Sequence, residues 1–216
     1  MAESVGTPER RRRRRVLVLT ALLVVLVVLG LGAAGLWWSG YRATVQVIAH
    51  AGPPRCQGTE PTVYQDQGAV DDEDLGEVSI PLRRGFVCTV PIRVENLSDH
   101  EVTLQRLTLN GGPDDGSAFR VHSVDGVEPS GDDLDGAGAQ AVAEVELELG
   151  PGEEDVLRVR LVFRESGCTG EGGGVRMWPQ VRVADQLARH DVAVAGFPRL
   201  EGTADSDCSP SGRQRG

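Results

Sequence analysis

The sequence predicts an all-β domain, an antiparallel sandwich, that follows one transmembrane α-helix. The helix is predicted by an uncharged run of 23 residues at 16–38, which directly follows six arginines. The sandwich is predicted by short stretches of alternating apolar and polar residues, separated by turns rich in Gly, Pro and Asp. No ten-residue stretch beyond the apolar run has a helical period.

The apolar run is long enough to cross a membrane. A helix of this length reaches about 34 Å, against about 30 Å for the hydrocarbon layer. Arginines stay on the cytoplasmic side, so we expect the N-terminus inside and the chain from about Tyr41 outside. Two tryptophans and this tyrosine lie where an interfacial aromatic belt is expected. The predicted anchor residues are therefore Arg10, Arg11, Arg12, Arg13, Arg14, Arg15, Trp37, Trp38 and Tyr41.

A cleaved secretory signal is the alternative interpretation of the same run, with Gly32-Ala33-Ala34 as a poor cleavage site. Apolar cores of signal peptides have about 7–15 residues, which is shorter than this run. The length therefore favours an anchor that is retained and contacts membrane lipid.

The charges divide sharply along the chain. All 22 basic residues are arginines, and residues 1–15 hold six of them beside Glu3 and Glu9. The remainder has 16 arginines against 30 acids, a net charge of −14. Such an acidic domain argues against nucleic acid as a partner, and fits a well-solvated domain or one that meets a basic partner. The predicted boundaries are a basic cytoplasmic tail at 1–15, a transmembrane helix at 16–38, an extracellular sandwich at 39–200 and a flexible C-terminal tail at 201–216.

The predicted strands follow in order along the domain. They cover residues 43–49, a possible short strand at 62–65, then 77–81, 86–96, 102–110, 119–124, 141–150, 155–165, 175–183 and 188–197. The segments between them, including 52–58, 70–74, 111–116, 129–138 and 166–174, are predicted turns and loops.

Two of these strands make specific predictions. In 86–96 every second residue from Phe86 to Val94 is apolar and predicted to face the core, while Pro91 on the other face predicts an edge or a bulge, because proline has no N–H. In 102–110 the apolar phase shifts by one residue after Leu104, which predicts a bulge near Gln105.

The strands 141–150 and 155–165 have the clearest alternation and are separated by a short turn. Glutamates occupy the outer face of the first, and arginines occupy the outer face of the second. We therefore predict a hairpin in which Glu146 faces Arg158 and Glu144 faces Arg160.

Four cysteines, Cys56, Cys88, Cys168 and Cys208, lie beyond the membrane segment. An even number in an oxidising compartment predicts two structural disulfides, with three possible pairings. We favour Cys56 with Cys88 and Cys168 with Cys208, because the second bridge would hold an otherwise loose tail. There is no C-x-x-C motif to indicate a redox role.

The segment FVCTVPIRVENLSDHEVTL, an alternating strand that ends in Asn96, a polar turn and a second strand, resembles the immunoglobulin-like sandwiches that many actinobacterial envelope proteins carry behind one membrane span. The resemblance covers roughly residues 42–200. It implies an immunoglobulin-like antiparallel β-sandwich, and such domains usually bind or position other molecules. The sequence departs from the antibody pattern, since no tryptophan lies between cysteines at the expected interval.

Candidate chemistry is sparse. His50, His100, His122 and His190 have no zinc-site spacing, and Ser117, Ser123 and Ser166 lie in no G-x-S-x-G motif. Acidic residues cluster at 71–74, 114–115 and 132–135 without the spacing of an EF-hand loop. The glycine-rich stretch 170–174 lacks the strand and helix of a phosphate-binding loop, and we interpret it as slack. No catalytic residue, metal site or cofactor is predicted.

These observations predict a non-catalytic, membrane-anchored extracellular domain that binds or scaffolds another protein of the cell envelope. Two alternatives remain: a cell-wall hydrolase or transferase, and a calcium-dependent adhesion module. A deep pocket lined by two or more of Asp, Glu, His and Ser would favour the enzyme, whereas a flat, closed sandwich with a solvent-exposed apolar patch would favour a partner surface.

Overall fold

The structure is a computed structural model that describes residues 8–64, 77–110, 117–131, 140–185 and 188–208. It consists of mostly β-structure with one N-terminal apolar helix. In the described residues the elements are α1 (Pro8–Val45), β1 (Val47–Ala51), β2 (Arg55–Gln57), β3 (Thr62–Tyr64), β4 (Glu77–Leu82), β5 (Val87–Asn96), β6 (Val102–Asn110), β7 (Phe119–Val124), β8 (Gln140–Leu149), β9 (Glu154–Phe163), β10 (Gly174–Arg176), β11 (Trp178–Ala184), β12 (Arg189–Ala195) and β13 (Arg199–Gly202).

The helix α1 contains one segment, Leu17–Val45, that is long and apolar enough to cross a membrane. It continues past Trp38 to Val45, so the strand predicted at 43–49 was wrong at its first four residues, and β1 begins at Val47. The alternation of apolar residues there did not distinguish the end of a helix from the start of a strand. Ala43 and Thr44 are buried where the helix meets the domain, and the Thr44 hydroxyl donates to the Tyr41 carbonyl at 2.9 Å.

Nine strands form one sheet in the order β7-β9-β5-β1-β12-β11-β6-β8, with β2 also paired to β5. The β1–β12 pair is parallel and joins two halves that are otherwise antiparallel. A second sheet has the order β10-β13-β4-β3. Apolar side chains from both halves and from the second sheet form one continuous core, which gives a sandwich-like fold.

The predicted inward face of β5 is confirmed, because Phe86, Cys88, Val90, Ile92 and Val94 are all fully buried. The prediction that its proline marks an edge was wrong, since β5 lies between β9 on one side and β1 and β2 on the other.

The position of Pro91 shows how an interior strand accommodates it. On that side of β5, β1 ends at Ala51 and β2 begins at Arg55, and the Gly52 N–H donates to the Pro91 carbonyl at 2.7 Å. The missing N–H of Pro91 therefore faces the break between two short strands, where no ladder bond is lost.

The bulge predicted in β6 is confirmed. Against β11, Arg106 and Leu104 lie opposite the consecutive residues Arg182 and Val183, so that Gln105 is the extra residue of β6. Leu104 and Leu107 are both fully buried, as the phase shift requires.

The hairpin predicted between β8 and β9 was wrong. The faces were assigned correctly, with Leu157, Val159 and Leu161 buried, but β8 pairs with β6 and β9 pairs with β5 and β7. Gly150–Glu153 carries the chain from one half of the sheet to the other. Alternation specifies which face of a strand is buried, and it does not specify the neighbouring strand.

The buried Asn96 secures this crossing. Its side-chain Nδ2 donates toward the carbonyls of His100, Leu149 and Gly150 at 2.7–3.0 Å, and its Oδ1 accepts from the N–H and hydroxyl of Ser98. One fully buried amide thereby joins the end of β5, the loop after it and the end of β8.

The C-terminal segment is folded further than predicted. β13 crosses the predicted boundary at residue 200, and the buried Ser206 donates to the Thr169 carbonyl at 2.7 Å. The glycine-rich loop is therefore held and not slack, because Gly172 and Gly173 also form backbone bonds with Gly202. The predicted strand 175–183 divides into β10 and β11, which belong to different sheets.

Candidate binding cleft

The predicted interfacial aromatics lie together at the end of α1. The Trp37 and Trp38 rings each stack on Tyr41 at centroid distances of 5.7 and 5.9 Å, and the Arg42 guanidinium lies over Trp38 at 5.3 Å. Tyr41 also contacts His190 of β12 edge to face. The arginines at 10–15 belong to the same helix.

Both disulfides are present in the pairing that the sequence favoured. Cys56 of β2 lies directly opposite Cys88 of β5, and their Cα atoms are 4.1 Å apart. Cys168 is bonded to Cys208 with a Cα separation of 5.5 Å, so this bridge holds the folded part of the C-terminal segment. Both bridges lie in the β-domain. The first holds the short strand β2 to β5, and the second holds the segment after β13 to the loop before β10.

The candidate chemical residues are not brought together. His50, His122 and His190 lie on β1, β7 and β12, while Ser117 and Ser123 are buried and Ser166 is exposed. Within the described ranges, no three His, Cys, Asp or Glu side chains are arranged to hold a metal ion. The acidic clusters at 71–74, 114–115 and 132–135 lie outside the described residues.

A cleft lies on the outer face of β2, β5 and β9, and we call it the cationic cleft. Its volume is about 830 Å³. Four arginines line it, together with apolar and uncharged groups, and among the described residues its lining contains no Asp, Glu, His or Ser. The lining residues are Gly52, Pro53, Arg55, Cys56, Gln57, Val87, Thr89, Pro91, Arg93, Val156, Arg158 and Arg160.

The strand register places two of these arginines on either side of Thr89. Arg55 of β2 and Arg160 of β9 are both its cross-strand partners. With strands about 4.8 Å apart, the Cα atoms of the two arginines are separated by about 10 Å. Arg158 projects from the same face of β9 two residues away, about 7 Å along the strand.

Two arginines of the cleft are neutralised within the chain and two are not. Arg93 pairs with Glu154 at 2.5 Å, and Arg158 pairs with Asp125 at 3.8 Å. Arg55 and Arg160 are exposed and form no ion pair in the part of the chain that the structure describes. The cleft is therefore a local excess of positive charge on an acidic domain.

On the outer face of the other half of the sheet, arginines form ion pairs with acidic residues. Arg106 contacts Glu144 at 2.8 Å, and both nitrogens of the Arg182 fork donate to Asp191 at 2.8 and 2.9 Å. The hydrogen bond from Arg182 lowers the pKa of Asp191, and it raises the pKa of Arg182.

Sequence reasoning missed the cleft. The sequence has arginines at the outward positions of β9, but the predicted hairpin paired these arginines with glutamates of β8. Arg55 was assigned to a turn, so its alignment with Thr89 and Arg160 was not foreseen.

These features define a β-rich domain that follows an N-terminal apolar helix and presents the cationic cleft on one outer face. No protein-family model and no curated protein matches the sequence. Among solved structures, the chain is similar to a Northeast Structural Genomics Consortium target, SoR45, at 7% identity and a TM-score of 0.37, over 73% of this chain and 88% of that one.

Two further similarities are to named proteins. The PapD-like domain 7 (ASH/PapD-like) of human CEP192 matches at 16% identity and a TM-score of 0.27, over 58% of this chain and 79% of that one. The alkylpurine DNA glycosylase AlkC of Pseudomonas fluorescens, bound to DNA containing an abasic site analog, matches at 13% identity and a TM-score of 0.28, over 69% of this chain and 30% of that one. These scores are too low to transfer any property to this chain.

Proposed function

We propose that this chain is a single-pass cell-membrane protein with a cytoplasmic N-terminus and an extracellular, non-catalytic domain that binds or scaffolds another envelope protein. The apolar helix, the arginines before it and the two disulfides of the domain support this orientation.

We further propose that the domain is immunoglobulin-like. The order β1-β5-β9-β7 in one half and β6-β11-β12 in the other corresponds to the ABED and CFG sheets of that fold, with β8 added beside β6. The disulfide of β5 differs from the antibody pattern, because it joins β2 on the same half of the sheet.

The observation that carries the binding function is the composition of the cationic cleft. A hydrolase or transferase needs groups that can donate, accept or attack, and it needs them to converge. The cleft offers guanidiniums, which remain protonated, above an uncharged floor of Thr89, Val87 and Pro91. Such a surface supports recognition of a partner.

The test uses the full-length chain in its own membrane with a photo-crosslinking amino acid at Thr89, in the cleft. A matched variant carries it at Thr108, on β6 in the other half. We expect an adduct of one defined mass from position 89 and none from position 108. Equal labelling of both positions, or none at either, would count against a binding function centred on the cleft.

Orientation is measured separately with a membrane-impermeant maleimide on intact cells. The exposed Asp99 is replaced in D99C, and Ser4 of the N-terminal tail is replaced in S4C. We expect labelling of D99C alone; labelling of S4C alone would reverse the proposed topology.

A further inference from the structure

We propose that the cationic cleft binds an acidic, extended polypeptide segment of a partner protein, with carboxylates bound by Arg55 and Arg160. This inference rests on the proposed binding function and specifies the chemistry of the partner.

The first argument is electrostatic. The chain beyond residue 15 carries a net charge of −14, yet the cleft has four arginines and, among the described residues, no acidic residue in its lining. The Cα atoms of Arg55 and Arg160 are about 10 Å apart, close to the screening length of about 8–10 Å at 0.1–0.15 M salt, so salt reduces their mutual repulsion without abolishing it. A partner that supplies two negative charges would relieve that repulsion.

The second argument is geometric. A guanidinium presents a planar fork of donors that matches a carboxylate with two parallel hydrogen bonds. In an extended peptide, side chains on one face recur about every 7 Å. The Cα atoms of Arg55 and Arg160 are about 10 Å apart across the strands, and their long side chains can turn toward each other to reach two such side chains.

The third argument is the apolar floor. Val87, Pro91 and Val156 line the cleft beside the arginines and are only partly buried. Apolar side chains of a peptide would remove this surface from water, whereas a purely hydrophilic polyanion would leave it wet. The floor therefore favours a polypeptide with both acidic and apolar residues over a phosphate polymer.

The position of the cleft argues against lipid headgroups of the same membrane. Asn96 lies opposite Val47, the first strand residue after the helix, and Thr89 is seven residues further along β5. That separation is about 24 Å along the strand, beyond the distance of about 8–10 Å over which salt screens a charged surface.

The experiment uses the full-length protein in nanodiscs of zwitterionic lipid, so that the bilayer contributes no net charge. The probe is a fluorescent nine-residue peptide of alternating Glu and Val, and its binding is measured by fluorescence anisotropy at low and high salt. A peptide of alternating Gln and Val is the uncharged control. Inorganic polyphosphate of comparable charge competes in a separate arm.

We expect the acidic peptide to bind, and each of R55Q and R160Q to weaken its affinity roughly fivefold to tenfold, the effect of one charge-assisted contact. The matched variant R189Q removes an exposed arginine from β12 on the other half and should change the affinity by less than about twofold. Thermal melting of all three variants confirms that they are folded.

Several outcomes would overturn the inference. These are equal binding of the Gln-Val peptide, an effect of R189Q as large as that of R160Q, no binding of the acidic peptide, and tighter binding of polyphosphate that displaces the peptide. A crosslinked partner at Thr89 alongside any of these results would leave the proposed binding function intact and reject only the acidic-peptide chemistry.

Discussion

The outer faces of the two halves of the large sheet make an instructive comparison. In the half formed by β8, β6, β11 and β12, arginines and acids neutralise each other in close pairs, including Arg106 with Glu144 and Arg182 with Asp191. In the half formed by β7, β9, β5 and β2, Arg55 and Arg160 have no acidic partner among the described residues.

The difference arises from where the chain places two similar strands. β8 has outward glutamates and β9 has outward arginines, and a hairpin would have neutralised both. Because the turn at Gly150–Glu153 crosses between the halves, the glutamates and the arginines face opposite directions. The positive charge of the cleft is therefore a product of topology.

The largest expected loss of stability comes from disrupting the hydrogen bonds that hold the crossing between the two halves of the sheet. Removing the Asn96 side chain in N96A leaves several buried polar groups without partners and should lower the free energy of unfolding by about 2–4 kcal/mol. N96D should be worse at neutral pH, because a carboxylate would face three carbonyl oxygens. Chemical denaturation measures the stability of both variants. The control is S130A, which removes a side-chain hydrogen bond at an exposed position.

The two disulfides should contribute similarly to stability but differently to peptide binding. Replacing both cysteines of a bridge with alanine should cost about 2–4 kcal/mol of stability in either case. Only C56A/C88A should also weaken binding of the acidic peptide, because that bridge holds β2 and hence Arg55 against β5. If C168A/C208A reduced peptide binding to the same degree at a temperature where both variants are folded, the cleft would not depend on β2.

In the half formed by β8, β6, β11 and β12, where the charges are paired, substitutions should change stability by small amounts that depend on pH. The Arg182 hydrogen bond lowers the pKa of Asp191 in the folded state, so its contribution is present above the unfolded pKa of about 3.9 and is lost as the pH falls through the folded value. Because the pair is partly exposed, D191N should cost about 0.5 kcal/mol at pH 7. Denaturation from pH 7 to pH 2 should show the difference vanish in acid; a constant difference would contradict this assignment.

The smallest effect should come from the outward glutamates of β8 that have no cationic partner in the described part of the chain. E148Q should change stability by less than about 0.5 kcal/mol and leave peptide binding unaltered. A marked gain in peptide affinity would show that the two faces communicate electrostatically through the domain.

Much of the fold followed from local patterns in the sequence. The buried face of β5, the bulge at Gln105 and the presence of two disulfides were predictable, since each depends on spacing along the chain or on a simple count. The pairing of β8 and β9 was not, because a four-residue connection serves a hairpin or a crossing equally well. The cleft depends on three strands in register, so it became visible only once those strands were placed.

Only Gln46 separates α1 from β1, and the last turns of the helix contact the domain through Tyr41 and His190. The β-domain accordingly follows its helix without a slack stalk. If α1 spans a membrane as proposed, the helix itself sets the height of the domain above the bilayer, and a rotation of the helix carries the cationic cleft with it. The proposed partner, if it lies in the same membrane, would then have to present its acidic segment at that one height.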